Sequence, residues 1–131
     1  MSERMKRAEA LRTAEDRHYN CAQSVLIPFA EKEGMDTETA YRLAACFGAG
    51  MNMGAVCGAV TGGLMALGLA GKGSQANCRE YLQRMRANHD GQLDCRELLR
   101  INAEKGGEKK PHCDAMVYEA LRVAEEMLSE G

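Results

Sequence analysis

The chain has 131 residues, enough for one domain with one core. Hydrophobic residues make up 45% and charged residues 27%, a globular balance that excludes an intrinsically disordered chain. The formal net charge is -2 with no block of like charge, so neither nucleic acid nor an anionic membrane surface is an expected partner.

Residues 1–17 mix Arg4, Lys6, Arg7, Arg12 and Arg17 with Glu3, Glu9, Glu15 and Asp16. They read as a surface N-terminal helix. They lack the apolar core of a signal peptide, which points to a cytoplasmic protein. A second helix is expected from Tyr19–Asn20, with Asn20 as N-cap and Cys21, Val25, Pro28 and Phe29 on its apolar face. Pro28 should bend it and Gly34 should end it. A third helix starts near Asp36–Thr37 and runs through Ala40, Leu43, Ala44 and Phe47.

From Leu43 to Gly71 there is no charged residue. Phe47 to Gly54 carries three glycines and Asn52, and reads as a loop. Residues 54–70 then read as a helix that is apolar all round, hence central and buried. The glycine-rich break and the Gly/Ala composition argue against a membrane span. Gly50, Gly54, Gly58, Gly62, Ala66 and Ala70 recur every four positions, so a smooth stripe runs down this helix. Such a stripe lets another backbone approach closely.

A fifth helix is expected from Ser74 to about Asn88, broken by Asp90–Gly91. Asp94 caps a short helix holding Leu98, Leu99 and Ile101. Residues 102–110 read as an exposed loop. Pro111 opens a last helix that carries Cys113, Met116, Val117, Ala120, Leu121, Ala124 and Leu128 on one face. The expected architecture is all-α. It is one helical domain, residues 1–131, bundled around the 54–70 helix.

Six cysteines are present, and a chain without an export signal more often uses them for metal binding or catalysis than as staples. Cys21, Cys57, Cys95 and Cys113 each fall in or near the first turn of an expected helix. Unpaired backbone N–H groups and the positive end of the dipole favour a thiolate there. The four are therefore expected to converge and to be unusually acidic. Cys46 and Cys78 are expected to be structural and to lie apart. His18, His89 and His112 read first as solvated surface histidines. His112, beside Cys113, is a lesser candidate for a metal ligand or proton shuttle. No Cys-x-x-Cys pair and no phosphate-binding loop occurs.

Cys57-Gly-Ala-Val-Thr-Gly62, continuing as Gly-Leu-Met-Ala-Leu-Gly68, resembles the CGAxxG core of the putative redox-active protein family with the C_GCAxxG_C_C cysteine pattern. Asn20-Cys21-Ala-Gln-Ser resembles its first-cysteine segment, Cys95-Arg-Glu-Leu its third and Cys113 its last. Phe47-Gly-Ala-Gly-Met resembles its glycine-rich turn. The resemblance spans roughly residues 18–125. It implies redox activity at these four cysteines and names no substrate. A more distant similarity is to iron–sulfur portions of multi-haem cytochromes.

Two uses of the four thiolates follow. Thiol–disulfide chemistry with an electron-transfer or thiol partner requires no cofactor. The alternative is an iron–sulfur cluster or other metal held by Cys21, Cys57, Cys95 and Cys113. A rival from another class is a non-catalytic helical module that forms a homodimer through the glycine-lined region.

Overall fold

The computed structural model describes residues 1–130 and is all-α. Helix α1 spans Glu3–Arg12, with Ser2 accepting the Met5 N–H at 3.0 Å as its cap. It ends earlier than the 1–17 reading and is not purely a surface element, because Ala8 and Leu11 are buried. Helix α2, Cys21–Lys32, begins with a complete capping box. The Asn20 side chain accepts from Gln23 N at 2.7 Å, and the Gln23 side chain accepts from Asn20 N at 2.8 Å. Every residue of α2 from Ala22 to Ala30 is buried, so α2 shares the centre of the bundle with the glycine-rich helix. Its two buried polar side chains are bonded: Gln23 donates to the Tyr41 carbonyl and Ser24 to the Asn20 carbonyl, both at 2.8 Å.

Helix α3, Thr37–Leu43, passes into a 3₁₀ turn at Ala45–Phe47. Leu43 is 54% exposed rather than packed in the core. The expected loop follows, with an unexpected hand: Ala49, Gly50, Met51 and Asn52 all have positive φ, between 53° and 62°. Such a conformation costs a non-glycine L-residue roughly 1–2 kcal/mol. At Gly50 a Cβ would lie 2.3 Å from the Ala55 carbonyl oxygen.

Helix α4 spans Gly58–Leu69, so the central helix starts four residues later than expected. Val56 is occupied elsewhere, in an isolated antiparallel bridge with Asp94. α4 packs most extensively on α2 and then on the last helix. The smooth stripe explains the closeness. A Cβ at Gly62 would lie 2.7 Å from the Ala22 carbonyl oxygen, and one at Gly58 3.3 Å from the Ala22 nitrogen. Backbone within the same chain therefore covers this part of the stripe.

Helix α5, Gln75–Ala87, has Ser74 as its cap. Its buried Tyr81 donates to the Val60 carbonyl at 3.1 Å. Helix α6, Cys95–Glu104, follows Asp94, which is the N-cap by position but makes no side-chain cap bond and pairs with Val56 in the bridge. Helix α7, Lys109–Ser129, buries Met116, Val117, Ala120, Leu121, Val123, Ala124 and Met127. The connection between α6 and α7 is thus residues 105–108, not 102–110, with Pro111 inside the first turn of α7. None of the helices is long and apolar enough to cross a membrane, among the described residues.

Candidate functional site

Cys21, Cys57, Cys95 and Cys113 line one cavity of about 190 Å³, and Cys46 and Cys78 do not. Three local devices bring these cysteines together. The first is Gly58: a Cβ there would lie 2.8 Å from the Phe47 carbonyl oxygen and 3.3 Å from the Ala22 nitrogen, so its absence lets the starts of α2 and α4 meet and brings Cys57 towards Cys21. The second is the bridge. Cys57 N–H donates to the Leu93 carbonyl at 2.8 Å, and Cys95 N–H donates to the Ala55 carbonyl at 2.6 Å. The bridge therefore holds Cys57, at the head of α4, near Cys95, at the head of α6. The third is a set of polar ties across α1 and α7. Arg12 Nε donates to Asp114 Oδ1 at 2.7 Å, its Nη1 donates to the Tyr19 carbonyl at 3.0 Å, and Lys110 Nζ donates to the Arg12 carbonyl at 3.0 Å. These ties hold the Cys113 turn of α7 against Cys21.

The 3₁₀ turn and the left-handed turn close the cavity rim at Ala49. Asn20 Nδ2 latches them to α2 through the Ala44 and Ala45 carbonyls, each at 3.2 Å. Arg96 Nη2 donates to the Met53 carbonyl at 3.1 Å, tying the same segment to α6.

The four thiols do not share one acidity. The Cys21 and Cys113 side chains are neighbours on the cavity, close enough to act on each other's charge. The Cys21 thiol lowers Cys113 to about 6, against burial, with help from Arg12 and Lys109. The same interaction and burial push Cys21 well up. Burial raises Cys57 to about 11, although the first-turn N–H groups of Ala59 and Val60 act the other way. Burial also raises Cys95, with the Cys113 charge adding to it. The expectation of four acidic thiols is therefore corrected to one. The helix-head argument counts the favourable dipole but omits the cost of desolvating a thiolate. The acidic thiol, Cys113, is also the one farthest inside its helix, a full turn past Lys109.

His112 lines the cavity, and burial lowers its pKa. His18 lines it too. His89 is not solvated: its Nε2 lies 2.9 Å from Glu119 Oε2. Cys46 is exposed, not a core residue, while Cys78 is half-buried. Arg12 and Lys109, which the sequence reading passed over as solvated charge, both line the cavity. Among the described residues, no Asp or Glu lines it. No group of three or more His, Cys, Asp or Glu side chains is gathered to hold a metal ion among the described residues.

Residues 19–127 match the family described as putative redox-active protein (C_GCAxxG_C_C). The chain belongs to that family. The match takes in all four cysteines that line the cavity, Cys21, Cys57, Cys95 and Cys113. No curated protein and no solved structure matches the chain.

Proposed function

We propose that the protein is a single helical redox domain that exchanges electrons by thiol–disulfide chemistry at this cavity. The observation that supports it most is the gathering of Cys21, Cys57, Cys95 and Cys113 on one cavity, with Cys21 and Cys113 as neighbours. Cys113 is held towards the thiolate, and its neighbour Cys21 is held as the thiol. A thiol attacks a disulfide sulfur best when its pKa is near ambient pH, where much of it is thiolate and that thiolate is still strongly nucleophilic. Cys113 is the attacking residue in this reading. It attacks one sulfur of a partner disulfide, forming a mixed disulfide and releasing one partner thiolate. Cys21 then loses its proton to solvent and attacks the Cys113 sulfur. The second partner thiolate leaves and the Cys21–Cys113 disulfide forms. Two electrons pass to the partner, which departs as two thiols.

Cys57 and Cys95 form a second pair on the same cavity, held by the bridge and kept protonated by burial.

The test is graded oxidation of the fully reduced protein, followed by alkylation and peptide mapping. The expected first product is a Cys21–Cys113 disulfide that dithiothreitol reverses, formed equally by a variant carrying C46S and C78S. Protein purified without oxygen that is brown, with stoichiometric iron and acid-labile sulfide, overturns the reading in favour of a cluster.

A further inference from the structure

The four-cysteine cavity opens beside a second, larger groove of about 380 Å³. Arg12, His18, Lys109 and Cys113 line both. The groove adds Arg17 and Lys110, and no Asp or Glu lines it among the described residues. Three of these cations already have partners: Arg12 and Lys110 bond Asp114, and Arg17 bonds Glu38. Lys109 has no ion pair among the described residues, and it stands one turn before Cys113 on the same helix face. Its position runs against local preference. The first turn of a helix favours acidic residues, yet α7 opens with Lys109 and Lys110 and has no acid there. A charge that costs helix stability and faces a reactive sulfur is the kind of local exception that marks a binding role. Cys113 lines this groove as well as the inner cavity, and about 380 Å³ falls at the small end of the 300–1,000 Å³ or so of a small-molecule pocket.

We infer that this groove selects a small anionic electrophile carrying a sulfur–sulfur bond, delivered to Cys113 past Lys109. The inference rests on the thiol–disulfide reading and adds the charge and size of the substrate. With tetrathionate as the probe, the Cys113 thiolate attacks one inner sulfur. The central sulfur–sulfur bond breaks and one thiosulfate leaves. Cys21 loses its proton to solvent and attacks the Cys113 sulfur. The second thiosulfate leaves as the Cys21–Cys113 bond forms. Two thiols are oxidised and one tetrathionate is reduced to two thiosulfates.

The test follows loss of the Cys113 thiol in the reduced full chain with three reagents: tetrathionate, neutral hydroxyethyl disulfide and cationic cystamine. Each rate is divided by that of free mercaptoethanol with the same reagent. The expected order is tetrathionate, then the neutral disulfide, then cystamine. Tetrathionate should lead the neutral reagent by about tenfold at low salt, a margin that shrinks as ionic strength rises. Lys109→Glu, which restores an acid to the first turn of α7 and so should not impair folding, is expected to remove most of that margin. Equal normalised rates, or a margin that Lys109→Glu leaves intact, overturn the charge selection alone. No oxidation of Cys113 by any of the three overturns the thiol reading and this inference with it.

Discussion

Arg12 Nε donates to Asp114 Oδ1 at 2.7 Å across 102 residues of sequence, and the guanidinium so held lies beside both Cys21 and Cys113. The ion pair is mostly shielded, with the Arg12 side chain only 8% exposed. Asp114 therefore fixes the position of the one buried cation that stabilises the Cys113 thiolate. Arg12→Gln should move the midpoint of Cys113 alkylation up towards the ordinary value near 8.5. It should also cost about 2 kcal/mol of stability, the usual scale for a hydrogen bond to a charged group. Arg12→Lys should recover much of the lowered midpoint even if it remains less stable. Iodoacetamide rates against pH, with urea midpoints alongside, check both.

Cys57 gives the fold an alkaline limit. Its folded pKa of about 11 lies above the ordinary thiol value, so the protonated form is favoured by folding. That contribution is complete below about pH 8.5 and is lost as pH rises through about 11, on the order of 3 kcal/mol in all. Cys57→Ala should flatten the fall between those limits. Cys113 works in the opposite sense, because its contribution is lost as pH falls through about 6. Denaturant unfolding of the reduced protein at a series of pH values, for wild type and Cys57→Ala, measures the difference.

Two glycines of α4 predict opposite signs. Gly62→Ala puts a Cβ 2.7 Å from the Ala22 carbonyl oxygen and 3.0 Å from the Val25 Cβ, both on the buried helix α2. Separating α2 from α4 should cost about 1–3 kcal/mol. Gly68→Ala meets nothing within 4 Å and lies in the same helix, so it should stabilise by up to about 1 kcal/mol. Equal midpoint shifts in urea would mean that the stripe is not a contact surface with α2.

The sequence made the caps and the packing stripe legible because their chemistry is local. Asn20 and Gln23 satisfy each other within one turn, and the four-residue repeat of small residues needs no knowledge of the partner to be seen. The four cysteines could be grouped from their helix-head positions and a family pattern. Arg12 could not, because its partners Asp114 and Cys113 are a chain-length away and a lone arginine in a polar helix looks solvated. Lys109 left a signal that could have been used, a cation where the first turn of α7 favours an acid. The Val56–Asp94 bridge was hidden by its length, since one pair of residues has no alternation to detect. The thiol acidities failed for a physical reason: dipoles can be assigned from sequence, but the burial that outweighs them at Cys21, Cys57 and Cys95 comes from tertiary packing.

The coupled thiols, Cys21 and Cys113, come from nearly opposite ends of the chain, and Cys46 and Cys78 lie between them in sequence but outside their cavity. In an unfolded chain the order of preference is reversed. Loop closure favours near neighbours such as Cys46 with Cys57, or Cys95 with Cys113, over the native contact. Any bond made before α1 docks on α7 is therefore biased towards a mispairing. Under the proposed thiol–disulfide chemistry, the chain must reach its native topology with its sulfurs reduced before the Cys21–Cys113 pair is oxidised. Renaturation from denaturant should accordingly recover more native protein with reductant present than in air.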